Sequence, residues 1–275
     1  MPEAGAVAIQ GEAGSFSHAA ALETHGSAIR LVPCASFVDL FDSVETGAAT
    51  SGVVPIENTL AGSVHENYDL LSTHALQVVG ETELRIRHCL IASPRTTLPE
   101  VRRVASHPVA LAQCRRFFRR HPDVVAVPAY DTAGSVRDLM AGKVDADAAI
   151  ASKLAAELYG ATVLEEGLED HAENYTRFLV VTKGSAPRES GRANKTSLIC
   201  ALGNEPGTLH RALGVFAARG LNLTKIESRP LPGRPWEYLF YLDVIDSGNG
   251  GLAEALTELR AFASNVRVLG TYPTR

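Results

Sequence analysis

Among the residues of this chain able to do chemistry, Thr176 and Arg177 come first. They sit side by side in Asn174-Tyr175-Thr176-Arg177-Phe178, at the entry to the apolar run Phe178-Leu179-Val180-Val181 and after an acidic stretch, 165–173, that reads as a loop. The arrangement suggests a strand entered from a loop, with a neutral proton donor next to a carboxylate anchor. Loops held by a rigid sheet are where catalytic groups concentrate. On residue types alone, a threonine and an arginine at an ordinary strand edge is the plainer reading, so the other polar clusters must decide.

Four such clusters accompany it. Gly11-Glu12-Ala13-Gly14-Ser15-Phe16-Ser17-His18 lacks both the full dinucleotide spacing and the lysine of a P-loop. It remains a glycine turn feeding a helix N-terminus, which either favours an anion or is capped by Ser15 or Ser17. In Pro55-Ile56-Glu57-Asn58-Thr59-Leu60-Ala61-Gly62-Ser63-Val64, capping accounts for Thr59 or Ser63 but not for four polar groups after a buried strand. Ser106-His107-Pro108, with Gln113 on the following helix, offers a general base or a proline-initiated helix start. Asp131-Thr132-Ala133-Gly134-Ser135 reads as another capped start. Neither HExxH nor GxSxG occurs, which argues against zinc hydrolysis and serine esterase chemistry. What is left is a set of hydroxyls, amides and one arginine, suited to a small dianionic substrate.

The elements that position these groups alternate. Ala6-Val7-Ala8-Ile9 leads to a helix at 16–24, and Ser36 with Asp39 opens a helix that ends at Gly47. Val53-Val54 reads as a short buried strand followed by a helix at 62–72. A second set runs through strands at 89–92, 104–105, 124–127 and 148–150, with helices at 108–119, 132–141 and 152–159. Such alternation predicts α/β architecture with mainly parallel strands, and every polar cluster follows an expected strand, where open sheets bind ligands. Residues 184–195 (GSAPRESGRANK) have no large apolar side chain and read as a linker. Beyond it the order is βαββαβ, a ferredoxin-like unit whose open sheet edges invite side-by-side pairing. The domains are thus 1–183, a linker at 184–195, and 196–275.

Composition narrows the classes. A chain of 275 residues with net charge −5 carries no electrostatic footprint for nucleic acid, and the arginines at 115, 116, 119 and 120 read as a solvated helix face. No uncharged apolar run reaches the ~18 residues of a membrane span. Cys34, Cys89, Cys114 and Cys200 show no CxxC pairing and suit reduced thiols in a cytoplasmic protein. No signal peptide is read at the start, so the sequons at Asn174, Asn194 and Asn222 are taken as coincidental.

In order along the chain, GEAGSFS, GVVPIENTLAGSV, SHPVALAQC, DTAGS, AAIAS, YTRF, NEPGTL and ESRP resemble prephenate dehydratases with a carboxy-terminal ACT regulatory domain. No single motif is decisive; PIEN, SHP, TRF and ESRP together are specific. The resemblance implies a catalytic region of two α/β lobes around a cleft, like type II periplasmic-binding proteins. It implies conversion of prephenate to phenylpyruvate in phenylalanine biosynthesis, without a cofactor or metal, and inhibition by L-phenylalanine bound at a subunit interface of a homo-dimer or tetramer.

Carried over by motif, the catalytic residues are Thr176, Arg177, Glu57, Asn58, Ser106 and Gln113, and Ser15, Phe16, Thr59, Ser63, Thr132 and Phe178 contact substrate. The effector residues are Asn204, Pro206, Gly207, Thr208, Leu209, Glu227, Ser228 and Arg229. GEAGSFS departs from the usual GPxGTFS by placing Ser15 where threonine is common. Gly207-Thr208-Leu209-His210 replaces the frequent GALV, placing a larger, polar side chain at His210. A chorismate mutase fusion is not expected, since no helical segment precedes residue 7. Two other readings stand beside this one: arogenate as the substrate, and a non-catalytic amino-acid sensor joined to an ACT module.

Overall fold

The computed structural model describes residues 5–184, 193–231, 233–234, 236–246 and 250–274. It forms two compact units. One comprises Met1–Val64 with Thr82–Phe178, the other His65–Glu81 with Leu179–Arg275.

The first unit is built on two sheets. One has the strand order Arg30–Cys34, Ala6–Gln10, Ser51–Asn58, Tyr175–Thr182, Gln77–Arg85. Its last two strands run on into the second unit. Ala6–Gln10 pairs in parallel with both neighbours, which explains its near-continuous apolar run. Val7, Ile9, Ala20, Ala21, Val53 and Phe178 form the core on one face. The helix Phe37–Thr46 is set by the Ser36–Asp39 capping box and ends on left-handed Gly47, as the sequence implied.

The second sheet has the order Thr162–Glu166, Cys89–Ala92, Ala148–Ala151, Arg103–Ser106, Val125–Pro128. Three of its strands are parallel, but Cys89–Ala92 runs against both neighbours, so parallel pairing holds for only part of it. The two lobes meet where Tyr159 Oη donates to the Ala13 carbonyl at 2.8 Å, Ser152 Oγ donates to that of Gly14, and Arg137 pairs with Glu12 at 2.6 Å. Gly14 is required there. It holds φ +89°, and a Cβ on it would lie 2.8 Å from Ala155 Cα.

Several expectations are corrected. The helix expected at 62–72 is a two-residue strand, Gly62–Ser63, paired antiparallel with Glu57 and Asn58, followed by a helix His65–Thr73. The helix expected at 108–119 is two helices, Pro108–Gln113 and Arg115–Arg120. The second has a remote cap, the Asp170 carboxylate, which accepts from the backbone of Arg115 and Arg116 at 3.2 and 2.7 Å. Residues 165–166 of the expected acidic loop close the strand Thr162–Glu166. The strands Arg30–Cys34, Gln77–Arg85 and Thr162–Glu166 have no clear sequence signal.

The second unit contains the expected βαββαβ order: Ala193–Leu202, Thr208–Ala217, Asn222–Pro230, Tyr238–Ile245, Leu252–Arg260 and Asn265–Pro273. Its four strands form one antiparallel sheet. Ala212, Val215 and Phe216 of one helix and Ala255, Leu256 and Leu259 of the other share a core with Leu198, Cys200, Leu242 and Val244. Of the linker expected at 184–195, residues 185–192 lie outside the described residues. Residues 193–195 already belong to the first strand. This unit also holds the helix His65–Thr73: Tyr241 Oη donates to the Tyr68 carbonyl at 2.6 Å, and Arg229 grips Asp69 through two bonds of 3.0 and 2.7 Å.

Candidate active site

The site in the first unit is organised by Asn58, the last residue of the strand Ser51–Asn58. Its Oδ1 accepts the backbone N–H of Leu60 at 3.0 Å and of Ala61 at 2.8 Å, which folds the chain into the hairpin that ends at Ser63. Backbone amides can only donate, so these two bonds decide which end of the Asn58 amide is which. The amino group must therefore face the other way. There Nδ2 lies 2.9 Å from Thr176 Oγ1, 2.8 Å from Asn174 Oδ1 and 3.0 Å from the Tyr175 carbonyl. Thr59 ties the same two segments: its hydroxyl donates to the Glu173 carbonyl at 2.8 Å and accepts from Tyr175 N at 3.0 Å.

This polarity has a chemical consequence. An amide nitrogen does not accept, so Thr176 Oγ1 must be the acceptor of the Asn58 bond. The threonine keeps its own proton to give to something else. Thr176 is buried, in surroundings where a directed donor counts for more than in water.

The chain of bonds continues into the other lobe. With its Oδ1 facing Asn58, Asn174 presents Nδ2, which donates to Gln113 Oε1 at 3.1 Å. His88 Nε2 lies 2.9 Å from the same oxygen. Burial pushes the His88 pKa down, against smaller upward pulls from Gln113 and Glu169. The ring stands edge-on to Phe16, with centroids 5.4 Å apart. Thus Phe16, Asn58, Thr59, Gln113 and Thr176 come together, joined by Asn174 and His88. Sequence reasoning misses both of these joining residues. Asn174 reads there as a coincidental sequon, and His88 belongs to no motif, although a histidine one residue ahead of the wholly apolar strand Cys89–Ala92 is a usable signal.

The remaining expected residues have other placements. Glu57 and Ser63 are cross-strand partners in the hairpin. Consecutive strand residues leave opposite faces, so Arg177 departs from the face opposite Thr176, and Phe178 on the Thr176 side is packed into the core. Ser106 Oγ is buried and donates to the Ile150 carbonyl at 2.6 Å. Ser15 caps its helix by accepting from His18 N at 3.2 Å. Thr132 opens a helix capped by Asp131, which accepts from Gly134 N at 2.7 Å. His107 Nδ1 accepts from Val109 N at 3.3 Å, the capping role its proline neighbour implied.

In the second unit, Pro206, Gly207 and Thr208 line a cavity of about 350 Å³ with Gly203, Glu205, Arg211 and Phe262. The Arg211 guanidinium lies 4.1 Å from the Phe262 ring centre. Asn204, Leu209 and the ESRP residues do not line it. Glu227 pairs instead with His65 at 3.2 Å and Lys225 at 3.4 Å, and Arg229 with Asp69.

Known proteins resemble this chain along most of its length. The family model for prephenate dehydratase covers residues 7–186, and that for the ACT domain covers 196–266. An Arabidopsis thaliana arogenate dehydratase/prephenate dehydratase is 41% identical over 277 residues, which is 97% of this chain and 72% of the relative. Prephenate dehydratase from Arthrobacter aurescens, solved in complex with L-Phe, is 32% identical with a TM-score of 0.89, covering 98% of this chain and 90% of the other. A solved protein described as a quorum-quenching acylase, GqqA, is 35% identical with a TM-score of 0.89 over 98% of each chain. The chain therefore belongs to the prephenate dehydratase family, a carbon–oxygen lyase with an ACT domain behind its catalytic region.

Proposed function

We propose that the enzyme converts prephenate to phenylpyruvate, with Thr176 as the hydrogen-bond donor to the departing hydroxyl. In that reaction the bond from the ring to its carboxylate breaks and carbon dioxide leaves. The electron pair moves into the ring as the carbon–hydroxyl bond breaks at the opposite carbon, and the oxygen departs as water after taking up one proton. Gaining an aromatic ring drives the reaction, so the barrier lies in expelling a poor leaving group. A positioned donor lowers it, typically by ~10²–10⁴-fold. The observation that carries this reading is the bond from Asn58 Nδ2 to Thr176 Oγ1 at 2.9 Å, which leaves the threonine proton available. Arg177, next to Thr176 in the chain, is the proposed carboxylate anchor. Glu57, Ser63, Ser106, Ser15 and Thr132 complete the proposed surroundings through their elements.

Arogenate differs from prephenate only in bearing an amino group in place of the keto group, so the ring chemistry at Thr176 serves both. Relatives carry both names, as the Arabidopsis protein does. The deciding experiment is kcat/KM on each substrate. Faster release of phenylpyruvate from prephenate supports the proposal. Preference for arogenate reassigns the substrate, and ligand binding without product supports the sensor reading. The acylase activity of GqqA is not carried over. Acyl transfer needs a base to take the nucleophile's proton, and Asn58, the hydrogen-bond partner of Thr176, accepts none.

For regulation, L-phenylalanine is the proposed effector, supported by the ACT match and by the relative solved with L-Phe. The proposed site combines the cavity at Pro206-Gly207-Thr208 with ESRP residues of a second copy, in a dimer or tetramer. Glu227 and Arg229 hold His65 and Asp69 on the helix that directly follows the Asn58 hairpin in the chain, which is a covalent route for regulation. A cytoplasmic location is proposed from four cysteines that are all free and buried. Among the described residues no helix is long and apolar enough to cross a membrane.

A further inference from the structure

The structure assigns His88 as a positioning residue: its Nε2–H fixes the amide of Gln113 so that the Gln113 amino group is presented to a substrate carboxylate. Backbone amides set the orientation of every group in turn. Leu60 and Ala61 orient Asn58, Asn58 orients Asn174, and Asn174 Nδ2 must meet an acceptor, which makes the atom at 3.1 Å Gln113 Oε1. His88 Nε2, 2.9 Å from that oxygen, must then carry hydrogen. Two donors converge on one carbonyl, and the Gln113 amide has one orientation left. Its Nε2, on a half-buried side chain, has no hydrogen-bond partner among the described residues and keeps two hydrogens to offer.

Two further observations show that His88 is held for this task. Its backbone is pinned on both sides: its N–H donates to Glu169 Oε2 at 2.9 Å, and its carbonyl accepts from Gly167 and Leu168 at 2.9 and 3.0 Å. Its Nδ1 is buried and meets no hydrogen-bond partner among the described residues, a polar atom that a purely packing residue would not need. An apolar side chain would fill the space beside Phe16 without leaving that atom orphaned. What it would not supply is the N–H aimed at Gln113.

This role rests on the proposed function for the identity of the ligand, and its test separates the two. His88→Gln keeps an N–H near the Nε2 position, whereas His88→Met keeps comparable bulk without a donor. Losing a hydrogen bond to a charged ligand corresponds to about 10- to 100-fold in binding. His88→Met is expected to raise KM for prephenate by that factor with kcat largely held, the pattern of lost ground-state binding, and His88→Gln to restore most of it. Equal KM in both variants and in the native enzyme, equal loss in both, or a fall in kcat alone would overturn the assignment. Nitrogen-15 NMR of the native protein gives a readout independent of turnover and of variant folding. It should show His88 as the neutral Nε2–H tautomer across roughly pH 6.5–8; an Nδ1–H tautomer there overturns the proposal even if prephenate is turned over normally.

Discussion

Replacing Asn58 by aspartate changes one amino group to an oxygen and almost nothing in volume. The Oδ1 side is untouched, so the bonds from Leu60 and Ala61 that shape the hairpin persist. The other side is inverted. Where a donor met Thr176 Oγ1, Asn174 Oδ1 and the Tyr175 carbonyl at 2.8–3.0 Å, a carboxylate oxygen now faces three acceptors. Only Thr176 can adapt, by turning its hydroxyl to donate to the new carboxylate, and that removes the proton from the leaving group. Losing a positioned donor costs ~10²–10⁴-fold in rate, so kcat should fall by about that much. Asn174 Oδ1 loses its donor, whereas the Tyr175 carbonyl keeps the bond from Thr59 N at 2.9 Å, so the expected destabilisation is about 1–3 kcal/mol, that of one buried unsatisfied group. The assay is phenylpyruvate formation at saturating prephenate, beside thermal and denaturant unfolding. A folded Asn58→Asp enzyme with native kcat would refute the reasoning, because the threonine proton would then be dispensable.

Three other outcomes follow from the structure. Gly14→Ala must adopt φ +89° and approach Ala155 Cα at 2.8 Å, so a loss of about 1–3 kcal/mol is expected, and an unchanged melting temperature would contradict the packing described. His18 and His88 are buried with pKa values below the ordinary 6.5. The unfolded chain therefore takes up protons that the folded state refuses, and stability should be independent of these groups above pH 6.5 and fall as pH drops below it, until the folded pKa values are reached. Unfolding free energies measured from pH 8 to pH 5 check the sign; a rise in acid attributable to these residues would contradict it. In the ACT unit Gly207 opens the helix Thr208–Ala217 at φ +87°, so Gly207→Val should strain the cavity rim and abolish L-phenylalanine inhibition while leaving uninhibited turnover intact; unaltered inhibition would displace the effector site.

Local chemistry was legible in the sequence, and polarity was not. The Ser36–Asp39 capping box, the Gly47 helix stop and the apolar periodicity of 209–217 announced themselves because their partners lie within a turn. The hairpin at 58–63 was hidden, since its glycine and serine also suit a helix start and its stabilising acceptor is a side chain. The break at Cys114 depends on Asp170, 56 positions after it in the chain, which no local pattern reports. PIEN, TRF and the Gln113 helix were each visible as motifs. The logic that joins them runs through Asn174 and His88, residues of ordinary type until the tertiary fold shows which atoms they meet. Arg177 beside Thr176 looked like one site in the sequence, but strand geometry sends the two side chains to opposite faces.

The most direct test compares Thr176→Ala and Thr176→Ser for conversion of prephenate to phenylpyruvate, with folding verified for each. Alanine is expected to lower kcat by ~10²–10⁴-fold, while serine, which restores a hydroxyl to accept from Asn58 and donate to the leaving group, recovers most of it. Near-native kcat in a correctly folded Thr176→Ala enzyme would contradict the claim that this hydroxyl assists the departure of water.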